Sequence, residues 1–142
     1  MSGPDCPICI AGRPRDVVTD LEAVWVTLPP LTPLPGYVCL VAKRHVREPF
    51  ELPNSERRAF WDDVDRVASA LSAGLRAEKL NYEIHGNTIP HLHLHLFPRW
   101  SGDRFAGRPI DGRESIERTN DDRSAIVEAL RLLLPQTETL PG

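Results

Sequence analysis

The chain has 142 residues, 26% of them charged and 41% hydrophobic, which suits one domain with a buried core. A net charge of -3 argues against a nucleic-acid polymer as partner. No apolar stretch reaches the length of a membrane span, and no charged segment followed by an apolar one opens the chain, so a soluble, cytoplasmic protein without a membrane partner is expected.

Residues 1–15 read as an irregular lead-in that carries Cys6-Pro7-Ile8-Cys9. A Cys-x-x-Cys pair without a secretory signal suits reduced thiols able to take a metal, although the pair alone also fits idle thiols. Ala23–Leu28 forms a short strand, closed by a proline-rich run over 29–36 that predicts a stiff extended loop turning at Pro35-Gly36. Tyr37–Ala42 is nearly uniformly apolar and therefore a central strand, with Cys39 as a small core residue.

The strongest helix spans about Ser55–Lys79, with Asn54 as its N-cap and Glu56 in the first turn. Phe60, Val64, Val67, Leu71 and Leu75 make its apolar stripe. Leu80–Ile84 is a strand, His85-Gly86-Asn87 a turn, and Ile89–Phe97 the returning antiparallel strand. Residues 98–118, rich in arginine and glycine, form a long surface loop. Asn120 or Asp121 caps a last helix with Ile126, Val127, Leu130, Leu133 and Leu134 facing inward. Antiparallel hairpins with two helices make a single α+β domain over residues 1–142, its helices on one sheet face.

The returning strand carries the chemistry. His91, His93 and His95 alternate with Leu92, Leu94 and Leu96, so the leucines enter a core and the imidazoles line the opposite face. A merely solvated strand face is better served by Thr, Val or Lys than by repeated histidine. A neutral imidazole is a nucleophile, and one whose second nitrogen is held by an acceptor has a fixed tautomer.

His91-Leu92-His93-Leu94-His95-Leu96-Phe97 matches the His-φ-His-φ-His-φ-φ signature, φ being apolar, and resembles the histidine triad (HIT) superfamily. The segment Pro35-Gly36-Tyr37 through Lys43-Arg44-His45, then Asn81, Gly86-Asn87 and Cys6-Pro7-Ile8-Cys9, resembles family elements in the same order, over about residues 5–105. The resemblance implies the HIT fold, an antiparallel sheet of about five strands with one long helix and a C-terminal helix, usually as a homodimer. It further implies a nucleotide hydrolase or nucleotidyl transferase that forms a covalent nucleotidyl-histidine on a dinucleoside polyphosphate or nucleoside phosphoramidate. His93 is then the nucleophile, His95 contacts the α-phosphate and leaving group, and the His91 carbonyl fixes the His93 tautomer. Asn81 and Asn87 are the implied substrate-binding residues. Trp100, with Arg99 and Arg104 nearby, is a further candidate from the sequence itself, to close over a bound base or a dimer interface or simply to pack at the strand end. No cofactor is expected for catalysis, and a structural zinc is implied on Cys6, Cys9, His45 and His91.

The chain departs from the family pattern at Tyr37, where histidine is usual, at Ala42 in place of proline, and at Asn87 in place of glutamine. Its loop 28–34 lacks the acidic residue that commonly holds the ribose hydroxyls. Two alternatives therefore stand beside the hydrolase: a nucleotide-binding regulatory protein with little turnover, and a catalytic metal held jointly by His91, His93 and His95.

Overall fold

The computed structural model describes residues 5–133 and shows the expected α+β architecture. Strands β1 (Val17–Asp20), β2 (Val24–Thr27), β4 (Val38–Ala42), β5 (Lys79–Ile84) and β6 (His93–Arg99) form one sheet in the order β1-β2-β4-β6-β5. Every neighbouring pair in it is antiparallel. Two-residue strands β3 (Leu31–Thr32) and β7 (Ile116–Glu117) pair separately, so the proline-rich run is pinned to the distal loop rather than only extended. No helix among the described residues is long and apolar enough to cross a membrane.

β4 sits at the centre of the sheet, and all five of its residues are buried. Val38, Leu40 and Ala42 join the main core with Leu92, Leu94 and Leu96. Cys39 and Val41 point to the other face, where they cluster with Tyr37 and Phe97. Burial on both faces explains why this run is apolar without alternation. The main core is closed by α2 (Asn54–Leu75) and α3 (Asn120–Leu130), and the buried Asp63 of α2 accepts a 2.7 Å hydrogen bond from the Ala23 amide, tying the helix to the β1–β2 turn.

Several boundaries differ from the sequence reading. α2 stops at Leu75 instead of Lys79, because Arg76 adopts a left-handed φ of 54° and the chain must turn into β5. The Trp100 indole donates to the carbonyls of Leu75 (3.3 Å) and Arg76 (3.0 Å), which a helix end leaves without partners. α3 is capped by Thr119, whose Oγ1 accepts from the Asp122 amide at 3.0 Å, not by Asn120 or Asp121. Ile126, Leu130 and Leu133 are buried as expected and Val127 half-buried, while Leu134 lies outside the described residues. The lead-in contains a short helix, α1 (Pro7–Ala11), ended by Gly12 at φ 84°, and β1 follows it unannounced by any clear alternation.

Gly74 shows how closely α2 and α3 pack: a Cβ there would lie 2.5 Å from the Ala129 Cβ and 2.9 Å from its Cα. Helix propensity alone favours Gly74→Ala by roughly 1 kcal/mol, but overpacking costs about 1–3 kcal/mol. Gly74→Ala is therefore expected to lower the melting temperature, and a rise in a thermal melt would contradict this helix contact.

Candidate functional site

β6 enters the sheet at His93, with His93 opposite Val41 of β4, and His95 opposite both Cys39 of β4 and Glu83 of β5. The ring centroids of His93 and His95 are 5.0 Å apart, nearly perpendicular. His93 Nδ1 lies 2.6 Å from the carbonyl oxygen of His91; a carbonyl only accepts, so Nδ1 carries a proton, which leaves Nε2 as the lone-pair nitrogen of the neutral ring. His95 Nδ1 lies 2.6 Å from the Tyr37 hydroxyl. Burial first, then the neighbouring His93 and His85, lower the His95 pKa to about 4, so this imidazole is neutral at physiological pH.

His91 takes a different direction. Its ring is buried, its Nε2–H donates to the Ala42 carbonyl at 2.7 Å, and its Nδ1 turns toward Cys6 Sγ (3.4 Å), Cys9 Sγ (3.7 Å) and His45 Nδ1 (3.2 Å). Cys9 Sγ and His45 Nδ1 are 3.3 Å apart. α1 makes this convergence local, because Cys6 at its cap and Cys9 three residues later share one side of a turn. A tetrahedral ion with bonds of ~2.0–2.1 Å to nitrogen and ~2.3 Å to sulfur sets its donors about 3.3–3.8 Å apart, and these four side chains come close to that spacing. The Ala42 carbonyl holds the His91 tautomer that frees Nδ1 as a ligand, the usual outer-shell arrangement of a metal-binding histidine. Among the described residues this is the only convergent set of three or more His, Cys, Asp or Glu donors, and His93 and His95 are outside it.

The other residues singled out in the sequence are placed as follows. Asn87 is exposed in the loop that leads from β5 to β6. Asn81 lies opposite Phe97, and its side-chain oxygen accepts from Arg99 Nη1 at 2.8 Å. Arg99 spends all five of its donors, on Asn81, on the Asp103 carboxylate and on the carbonyls of Phe105 and Arg108, and so shapes the loop after β6. That contact with Arg99 holds the Asp103 carboxyl down at about 2. A cleft of about 860 Å³ along β5 contains Asn81 and Trp100 but no imidazole.

Two further clefts meet the histidine face. One, about 470 Å³, is mostly apolar, with Ile8, Ala11, Val41, Ile89 and His93 among its walls beside Arg13 and Arg15. The other, about 620 Å³, is bordered by His95, Tyr37, His85, Glu83, Arg108 and Asp111. Sequence reasoning passed over His85 as a turn residue; its ring lies 5.7 Å from that of His95 and its Nε2 2.8 Å from Glu83 Oε1. The available signal was that Glu83, next but one in sequence, shares a sheet face with His95.

An α+β domain with two adjacent, differently tethered imidazoles on its sheet face, beside a convergent Cys₂His₂ cluster, defines the class. Residues 12–102 match the HIT domain, and the chain belongs to that family. It is 34% identical over 97 residues to the bifunctional bis(5'-adenosyl)-triphosphatase/adenylylsulfatase FHIT of Arabidopsis thaliana, an alignment covering 63% of this chain and 53% of that protein. The chain thus spans about half the length of that curated relative. In structure it resembles a histidine triad protein from Bradyrhizobium japonicum, with a TM-score of 0.73 at 26% identity, covering 81% of this chain and 87% of the other. A zinc-bound histidine triad family protein from Mycobacterium smegmatis shares the fold, with a TM-score of 0.66 at 22% identity over 91% and 95% of the two chains.

Replacing one thiol tests the donor cluster. Cys6→Ser is expected to reduce the molar metal content of the purified protein and to lower its melting temperature. Unchanged metal content by elemental mass spectrometry would rule this donor set out.

Proposed function

We propose that this protein is a nucleotide hydrolase or nucleotidyl transferase acting on a dinucleoside polyphosphate or nucleoside phosphoramidate. The observation that carries this reading is the His93 imidazole, with Nδ1 tied to the His91 carbonyl at 2.6 Å and a second neutral imidazole 5.0 Å away. His93 Nε2 attacks the α-phosphorus, an N–P bond forms, and the bond from phosphorus to the leaving group breaks. A phosphate leaving group departs as its anion, whereas an amine leaving group takes a proton from His95 Nε2–H, which the water of the second step restores. Water then attacks the phosphorus, the N–P bond breaks, and the nucleoside monophosphate leaves with His93 restored. His95, with Asn87 from the loop, stabilises charge gathering on the phosphoryl oxygens; one well-placed donor contributes about 3–4 kcal/mol in such a transition state.

The two clefts divide the substrate. The apolar one beside His93 takes the base, and the mixed one beside His95 takes the leaving group, whose polar atoms meet Arg108, His85 and Glu83. The similarity to a bis(5'-adenosyl)-triphosphatase supports a phosphoanhydride of adenosine as one substrate. The Cys6, Cys9, His45 and His91 cluster is assigned to zinc, since two thiolates and two imidazoles make a closed structural site; the zinc-bound mycobacterial relative supports this. When bound, the ion joins α1 to the sheet, and the covalent route runs on the chain's imidazoles. A homodimer is proposed through the outer edge of β5, where Tyr82 is 49% exposed and Ile84 37%.

The proline-rich loop without a carboxylate favours one rival reading, a nucleotide-binding protein with negligible turnover. Mass spectrometry separates the two. Wild type and His93→Ala are incubated briefly with diadenosine tetraphosphate or an adenosine phosphoramidate. Wild type alone is expected to form an adenylyl adduct and release AMP. Absence of both with either compound would overturn the hydrolase reading and leave the binding one.

A further inference from the structure

The residue that holds His95 is Tyr37, and it is gripped at both ends. Its ring is buried and stacks on Phe97 with centroids 4.7 Å apart and planes 15° from parallel. Its carbonyl accepts from Arg118 Nη2 at 2.8 Å. Arg118 is itself fixed by a buried ion pair with Asp122 (2.6 Å) and by donation to the Pro29 carbonyl (3.0 Å), while Asp122 accepts from the Gly36 amide at 2.7 Å. The phenol can thus meet His95 in one place only, 2.6 Å from Nδ1.

The direction of that hydrogen bond follows from the chemistry of its ends. An imidazole nitrogen is a far better acceptor than a phenol oxygen, and a phenol is a better donor than an imidazole N–H. Burial, reinforced by the Cys39 thiol beside it, keeps the Tyr37 proton in place by pushing its pKa up. Cys39 also stays protonated, its pKa pushed up to about 12 by burial. A neutral His95 carries one ring proton, and if Nδ1 accepts, that proton sits on Nε2.

We infer that Tyr37 is a positioning residue: by donating its hydroxyl proton to Nδ1 it locks His95 in the Nε2–H tautomer. His95 then presents a hydrogen-bond donor beside the His93 nucleophile. The opposite tautomer would present a lone pair there, which repels the oxygens of a phosphoryl group and offers no proton to a leaving group. A phenylalanine would fill the same space and keep the stack on Phe97, yet leave Nδ1 without its donor. The tautomer rests on the Tyr37–His95 contact and the donor strength of a phenol toward a neutral imidazole; its effect on turnover rests on the nucleotidyl-His93 chemistry proposed above.

The test is two-bond ¹H–¹⁵N correlation NMR of the imidazoles in wild type and Tyr37→Phe, together with steady-state AMP release from an adenosine phosphoramidate. Wild-type His95 is expected to show an unprotonated Nδ1 and a protonated Nε2, and Tyr37→Phe a shift toward the Nδ1–H form. Turnover in the variant should fall about tenfold in kcat with little change in KM, the scale of one lost hydrogen bond. A wild-type proton on Nδ1, an unchanged tautomer in the variant, or an unchanged kcat would each overturn the assignment. A wild type that releases no AMP would sink the hydrolase reading instead, and the wild-type spectrum would still decide the tautomer.

Discussion

The pairing of β4 with β6 is the constraint on which the rest depends. It sets Val41 opposite His93, Leu40 opposite Leu94 and Cys39 opposite His95. Side chains on a strand alternate with a period of two, so a slip of one residue would drive the imidazoles into the core and turn the leucines out. Leu92, Leu94 and Leu96 are each no more than 2% exposed, and burying three such side chains is worth about 5–9 kcal/mol. That is comparable with the whole net stability of an ordinary domain. The histidine face exists because the leucine face is too costly to displace.

A rigid sheet does not by itself fix the long segment after β6, and two arginines supply that order. Arg99, at the end of β6, gathers Asn81, Asp103 and two loop carbonyls, which folds residues 100–108 back over β5. Arg118, just before α3, gathers Asp122, Pro29 and Tyr37, which seats the proline-rich loop and the start of β4. Both guanidiniums are well buried, and in each case a carboxylate four residues on supplies the compensating charge. Buried charges of this kind tolerate loss of a partner poorly, because the remaining ion is left in a low-dielectric setting. Loop position at the two clefts is thereby coupled to elements far away in sequence.

What was legible in the sequence was whatever repeats locally. The leucine–histidine alternation gave the strand and the shared face of His93 and His95, but the strand begins at His93 rather than Ile89 and the His91 ring is buried away from that face. The spacing Phe60-Val64-Val67-Leu71 gave the buried stripe of α2, and the unbroken apolar run 38–42 gave the central strand. The four donors of the cysteine–histidine cluster were readable through the family resemblance, since the Cys-x-x-Cys pair alone also fits idle thiols. Long-range pairing was not readable. Nothing local shows that Tyr37 meets His95 across 58 residues, that the proline-rich run forms a ladder with Ile116–Glu117, or that Arg76 ends α2 four residues early. Residue type marks Asn81 and Trp100 as polar and aromatic candidates, but their partners, Arg99 and the last carbonyls of α2, emerge only once the chain is folded.

His91 shows how the cysteine–histidine cluster and the histidine pair are joined without touching. Its Nδ1 faces the thiols, its Nε2–H is spent on Ala42 of β4, and its carbonyl holds the His93 tautomer. The next residue closes the unit, since the Leu92 amide donates to Val46 at 2.7 Å and its carbonyl accepts from Ala42 at 2.9 Å. Ring, carbonyl and flanking peptide therefore move as one body. A metal held at Nδ1 would restrain the ring, and through it the backbone whose carbonyl lies 2.6 Å from His93 Nδ1. The turn from Cys6 to Cys9 is thus linked to residue 93 through the ring and backbone of His91.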